Sequence, residues 1–386
     1  MSVKGKTEPG RGVTFVFDRM MHYHIPTTRA IESRLAQRGV ALTVLSALDA
    51  EGAVGRVATR ELVVARHHHF RLSERRVGGF QLRYQHGVHA HLRAIRPAVI
   101  ITTCHSGTLS EWSILRWARR HGIRRVAWQC GYEYNPGIVK RIALARFVPQ
   151  FDFHLCYHSN ARAYALQHGA REEQTFVMHN TIDETRVVPI DREAARALLV
   201  QRHPELRDRN IVLYVGAVLE EKRLELVFEA LAGLGRKDTV FVLVGSGPHL
   251  NTLKARYASR NDWLSTGAVV EGVGMYFDAA DVLVLPGTGG LAINEAMAHR
   301  LPVVSGYADG SADDLVRDGV TGYRLRAGSA SELADRLGRL LNDPEAARRL
   351  GRQGEALVRG ELSFSRFVDG VVGVLAHQHE LALQHS

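Results

Sequence analysis

The chain has 386 residues, 45% of them apolar, with 36 glycines and a formal net charge of +10. That length exceeds the roughly 250–300 residues at which one core stops growing, so two globular domains are expected, and the composition excludes a disordered, collagenous or disulfide-stapled chain. The 50 lysines and arginines outnumber 40 acids, yet those over 56–96 and 116–125 are scattered without a recognisable reading motif, so no nucleic acid partner is expected.

In chain order, the first ten residues are polar and are followed by no apolar core of the kind a secretory signal needs. No run of about 18 apolar residues exists to cross a membrane. The 3 cysteines, at 104, 130 and 156, lack metal-ligand spacing and suit a reducing compartment, so a cytoplasmic location is expected. Apolar strands at Val13–Phe17, Val40–Leu45, Ala98–Ile101, Arg125–Trp128, Phe153–Cys156 and Thr175–Met178 alternate with helical stretches. That alternation predicts a parallel, doubly wound sheet, whose ligands bind at the carboxyl ends of strands. The rule selects His22, Tyr23 and His24 after the first strand, His105 in Cys104–Gly107, and Cys130 in Trp128–Gly131. Each of these is read either as a surface turn or as a ligand contact.

His67, His68 and His69 are consecutive, so on a strand they point to alternate faces and cannot jointly grip a metal; no metal is assigned. The helix Trp112–His121 is amphipathic and basic. It either packs on the core or docks reversibly on an anionic inner membrane leaflet, where each basic residue contributes about 1 kcal/mol. From about Pro189 to Asp208 charge rises and apolar order falls, which places a hinge there.

The second half repeats the pattern, with strands near Val212, Phe241, Val282 and Val303. In Ile211–Leu234 a strand ends at Gly216, and a helix then carries Val227, Ala230, Leu231 and Leu234 on one face. Lys222 lies in the turn between them, either as a solvated lysine or as a charge for an anion. Gly245 and Gly247 follow the next strand, but Leu250 occupies the third glycine position of a dinucleotide fingerprint, which is therefore incomplete. Asp281–Gly306 packs a buried strand, the glycines Gly287, Gly289 and Gly290, a helix and another strand into one βαβ corner. The glycines let backbone amides approach a ligand, and the helix N-terminus favours a phosphate. Glu295, about one and a half turns into that helix, is placed to reach a ribose hydroxyl. Ser363–Leu375 reads as a helix, and the tail from about His377 is expected to be mobile.

The segment PGTGGLAINEAMAHRLPVV, from Pro286 to Val304, resembles the donor site of glycosyltransferase family 4, the retaining GT-B enzymes. Glu295 matches the second Glu of that family's Glu-x7-Glu pattern, and Gly287 stands where the first would be. The resemblance makes Lys222 the cation that holds the donor diphosphate and stabilises the leaving nucleoside diphosphate. It assigns Gly216, Gly247, Val269, Thr288, Gly289, Gly290 and Leu291 to donor binding. The family's second basic residue is replaced by Ala217, with Arg223 as the candidate substitute. His22-Tyr23-His24-Ile25-Pro26 resembles a turn near the acceptor and donor phosphates. Cys130 stands where a sugar-contacting residue is common, with His105 as compensation.

The resemblance implies an α/β GT-B fold, two Rossmann-like doubly wound parallel-sheet domains facing a cleft. They are expected at 1–190 (acceptor side) and 191–362 (donor side), with a helix over 363–386 crossing back to the first. It further implies a retaining, metal-independent hexosyltransferase without cofactor, whose co-substrate is a nucleotide-diphosphate sugar. The acceptor would be a saccharide or lipid-linked, met by a chain peripheral at the inner membrane face. The alternatives are a catalytically silent GT-B subunit, motivated by Gly287 and Ala217, a transferase for a small metabolite, and an epimerase needing Glu133 for proton transfer.

Overall fold

Runs of β-branched and aliphatic residues bounded by glycine and proline become strands in both halves, and those apolar on both faces lie inside a parallel sheet. The structure, a computed structural model, describes residues 11–20, 24–47, 64–77, 80–131, 137–269, 271–306 and 310–384. Two units emerge, Met1–His179 with Ser365–Ser386, and Asn180–Phe364.

The first unit holds eight strands: β1 (Val13–Arg19), β2 (Leu42–Ala47), β3 (His67–Val77), β4 (Phe80–His86), β5 (Val99–Thr102), β6 (Arg124–Gln129), β7 (Phe153–Cys156) and β8 (Thr175–Val177). They form one sheet in the order β4-β3-β2-β1-β5-β6-β7-β8, parallel except for the antiparallel β3–β4 hairpin. Helices α1 (His24–Gln37), α2 (Val88–Ile95), α3 (Leu109–Arg120), α4 (Ile138–Phe147) and α5 (Ser159–Gln167) connect them.

The second unit holds α6 (Arg192–Arg202), β9 (Asn210–Val215), α7 (Glu225–Leu234), β10 (Thr239–Val244), α8 (Leu250–Arg256), β11 (Trp263–Gly267) and α9 (Gly274–Ala279). It continues with β12 (Val282–Leu285), α10 (Leu291–Ala298), β13 (Val303–Ser305), α11 (Ser311–Leu315), β14 (Gly322–Arg324), α12 (Ala330–Asn342) and α13 (Pro344–Arg359). Its six strands are all parallel, in the order β11-β10-β9-β12-β13-β14. The last helix, α14 (Phe364–Gln384), belongs with the first unit from Ser365 onward.

Three expectations differ from this outcome. The boundary falls at 179/180 and 364/365, not at 190/191 and 362/363. The proposed hinge over 189–208 is largely helix α6, with Ala195 and Leu199 fully buried. Two of its charges are engaged within the fold: Arg192 and Arg196 both bind Asp281, the latter at 2.6 Å. The tail from His377 continues α14, where Ala382 is buried and Gln378 accepts from Arg124 Nε at 2.9 Å. A polar residue that looked like tail composition is there the partner of an arginine. The helix expected at Trp112–His121 is α3, and its core-packed reading holds, since Glu111, Ile114, Leu115 and Ala118 are buried. The tilted rings of His67 and His69 meet at 4.4 Å, while His68 instead meets His91 at 5.6 Å.

Candidate functional site

In the second unit the chain starts in the middle of the sheet at β9, walks outward through β10 and β11, then returns to the other side of β9 with β12. The loops leaving β9 and β12 therefore diverge in opposite directions, and open α/β sheets bind ligands outside the carboxyl ends of such strands. The loop after β9 carries Gly216 to Leu224, and the turn after β12 carries Pro286 to Gly290.

Glycine lets these turns touch. A Cβ on Gly245 would lie 1.8 Å from Gly216 O, one on Gly247 would lie 2.2 Å from Val218 O, and one on Gly287 would lie 2.2 Å from Glu221 O. The contact at Gly287 is reinforced by Thr288 N donating to Glu221 O at 3.3 Å. Lys222 ends a short 3₁₀ turn, Glu220–Lys222, and its ammonium donates to Thr288 O at 2.7 Å and Thr288 Oγ1 at 3.2 Å. Only 14% of the Lys222 side chain is exposed. A cation is thus fixed at the turn that opens α10, which is not how a solvated lysine behaves.

Glu295 sits one turn before the C-terminus of α10, half-buried, and burial pushes its carboxyl above the ordinary range while the His299 imidazole pulls it back. His299 is itself held by Asp278 at 2.7 Å and stacked on Phe277. A carboxylate kept partly out of water gains from a hydroxyl donor, which a ribose supplies.

Other expected donor contacts are distributed less uniformly. Arg223 adopts φ 53°, is exposed, and donates to Gly328 O at 3.0 Å, so its guanidinium has a different partner from Lys222. Val269, half-buried, packs against the core of the unit. Gly289 has φ 147° and Gly290 caps α10 ahead of Leu291.

Residues 196–357 match the family described as "Glycosyl transferases group 1". The second unit belongs to that family. Among curated proteins, the chain is 35% identical over 193 residues to alpha-D-kanosaminyltransferase of Streptomyces kanamyceticus, covering 48% of this chain and 50% of the relative. It is 32% identical over 260 residues to the GDP-mannose-dependent alpha-(1-6)-phosphatidylinositol monomannoside mannosyltransferase of Mycolicibacterium smegmatis, covering 61% and 66%. The chain therefore spans only about half to two thirds of the curated relatives it matches. Among solved structures it is similar to HepE of Anabaena in complex with UDP and glucose, with TM-score 0.72 at 16% identity over 95% of this chain and 100% of that one. The fold is GT-B, two Rossmann-like units. Both halves of the Lys222–Thr288 contact lie within the group 1 match.

The first unit has its own point of divergence, between β1 and β5. His24 opens α1 after β1, its ring 6.4 Å from that of Phe17, and His105 follows β5; His22 lies outside the described residues, as does Glu133. Cys130, half-buried, follows β6, one strand away from β5. Sequence reading missed what holds the turn after β5. Cys104 takes a left-handed φ of 53°, a strained choice for a residue with a Cβ. Fully buried Glu111 braces it, accepting from His105 N at 2.8 Å and from Thr103 Oγ1 at 3.3 Å. Asp18 lies nearby, accepting from Arg83 at 3.1 Å and Gln85 at 2.8 Å.

Burial, with the charge of Asp18 adding to it, raises the Glu111 carboxyl from 4.5 to about 8. A group whose folded value is raised contributes stability that is fully present below its unfolded value and is lost as pH rises through the folded one. The thermal stability of the wild type should therefore fall as pH climbs from 4.5 to about 8, and Glu111→Gln should flatten that slope. An unchanged slope in the variant would remove Glu111 as its source. Among the described residues, no group of three His, Cys, Asp or Glu side chains is arranged to hold a metal ion, and no helix is long and apolar enough to cross a membrane.

Proposed function

We propose that this chain is a retaining glycosyltransferase of family 4, moving a hexosyl unit from a nucleotide-diphosphate sugar to a saccharide or lipid-linked acceptor. The observation that carries the reading is the Lys222 ammonium fixed 2.7 Å from Thr288 O, at the turn opening α10, inside the group 1 match. The donor diphosphate would lie against Lys222 and the amides at the start of α10, where a fixed cation and a helix dipole oppose its charge. Glu295 would hold the ribose.

As the sugar–phosphate bond breaks, negative charge accumulates on the leaving diphosphate, and a preorganised Lys222 stabilises it there more than in the ground state. The acceptor hydroxyl would attack from the face the diphosphate leaves, with its proton passing to a phosphate oxygen, so no nucleophile from the protein and no metal or cofactor is required. His22, His24 and Cys130 are assigned to the acceptor or phosphate side, and His105 to catalysis with Lys222 and Glu295. Cell-envelope polysaccharide or glycolipid assembly at the cytoplasmic membrane face is the proposed setting.

Because one relative is GDP-mannose-dependent and one similar structure holds UDP and glucose, the first experiment screens UDP-, GDP- and dTDP-sugars by thermal shift and diphosphate release, with and without chelator. One nucleotide should stabilise the protein, with slow release that chelator does not abolish. In Glu295→Gln, the donor KM should rise about tenfold or more, the cost of weakening one charged hydrogen bond of about 1.5–3 kcal/mol. If no nucleotide shifts the unfolding temperature, the donor site assigned here is wrong; binding without release to any acceptor would favour the silent subunit.

A further inference from the structure

Helix α10 carries Glu295 one turn before its end and closes at His299, whose backbone N–H donates to Glu295 O at 3.1 Å. Residues so spaced share a helix face, which makes the His299 ring the neighbour of the Glu295 carboxyl. The side chains of His299 and Asp278, on α9, are each only 4% exposed. Asp278 Oδ1 meets His299 Nδ1 at 2.7 Å, and Asp278 Oδ2 accepts from Ile190 N at 3.0 Å. With both carboxylate oxygens accepting, His299 Nδ1 carries a proton and the orientation of the ring is fixed. Phe277 stacks on the ring, and a Cβ on Gly274 would lie 3.0 Å from His299 Cε1 and 3.3 Å from Nε2, so the far edge is walled in as well. Neighbouring charges on α10 and α13 are committed elsewhere: Arg300 binds Glu355 at 2.7 Å, and Arg359 binds Glu355 at 3.2 Å and Ala298 O at 3.3 Å.

A buried acid–imidazole pair is a weak stabilising device, because taking it out of water costs about as much as its attraction returns. Its placement one turn from Glu295 is explained by what it does to that carboxylate. We propose that Asp278 and His299 are positioning residues of the donor site, aiming Glu295 as a charged acceptor at ribose hydroxyls and so selecting the nucleotides that carry them. An ionised carboxylate accepts from the 2′ and 3′ hydroxyls together, whereas a protonated one presents one oxygen as a donor instead. Burial of Glu295 works against the ionised form, and His299 is the group that opposes it. The inference rests on the reading that Glu295 holds the ribose, and adds to it the origin of that selectivity.

The test is titration calorimetry of the full chain with UDP, GDP and their 2′,3′-dideoxy forms, beside a thermal melt. Wild type should bind one ribonucleotide at least about tenfold more tightly than its dideoxy form, the worth of hydrogen bonds to a charged group. In His299→Gln and in Asp278→Asn that ratio should fall to about threefold or less, the worth of a neutral hydrogen bond, with binding of the dideoxy form unchanged. In a Glu295→Gln background, His299→Gln should change neither affinity, since its effect runs through the carboxylate. A purely structural role would weaken both forms alike and would persist without Glu295. Because the pair is buried, two variants are used, and either one that melts near wild type is sufficient. Failure of wild type to bind UDP or GDP overturns the donor site itself and the inference with it. Binding without ribose preference, or a preference that the folded variants keep, overturns the inference and leaves the donor site standing.

Discussion

Lys222→Ala is expected to lower kcat for diphosphate release by about 10²–10³, the loss seen when a preorganised group facing developing charge is removed, with a smaller change in donor KM. The asymmetry follows from the geometry. The ammonium is held by Thr288 O and Thr288 Oγ1 before any ligand arrives, so little reorganisation is needed as charge builds on the leaving group. The fold should survive, because the turn is also closed by Thr288 N donating to Glu221 O, a bond the substitution leaves in place. Steady-state release assays beside a thermal melt check both halves. Activity within twofold of wild type would exclude Lys222 from leaving-group stabilisation.

Gly287→Ala should be nearly as damaging for a different reason. Its new Cβ would sit 2.2 Å from Glu221 O and 2.5 Å from Lys222 C, all backbone atoms that cannot rotate away. The Glu220–Lys222 turn must shift, at a cost of about 1–3 kcal/mol for overpacking. A displacement of about 1 Å at Lys222 would itself cost activity on the order of 10²-fold. Gly287→Glu, which restores the carboxylate common in the resembled family, should not rescue anything and should behave like the alanine variant. Gly373→Ala on α14, with nothing within 4 Å of its Cβ, is the control: it should leave activity unchanged and raise the melt slightly, since alanine suits a helix interior better than glycine. An active Gly287→Ala enzyme with an unchanged melt would show that this approach of two loops does not set the position of Lys222.

The Gly287 contact also marks the limit of what sequence could reveal. Strands such as Val282–Leu285 and the glycine turn behind them were legible because apolar runs and glycines are local signals. The reason for Gly287 was not, since its neighbours Glu221 and Lys222 are more than 60 positions away in the chain. The same holds for Glu111 and Asp18, whose proximity depends on β1 and β5 pairing. The β3–β4 hairpin was missed even though Gly78-Gly79 separates its arms, because most of the arms' residues are charged or polar and the apolar alternation is weak. Arg192 and Arg196 were read as linker charge when Asp281, far along the chain, is what they bind.

The last helix has a consequence for the order in which the molecule is made. Phe367 meets the Trp128 ring at 6.4 Å, Gly370 packs closely on Phe176, and Arg124 binds Gln378. These contacts complete the core of the unit whose sheet is translated before the second unit, yet they come from residues translated after it. The second unit, contiguous from Asn180 to Phe364, has every residue it needs before the first does. During synthesis the earlier sheet must therefore wait, with the surface later covered by Phe367, Val371 and Leu375 open to water, until the residues beyond Phe364 have been made.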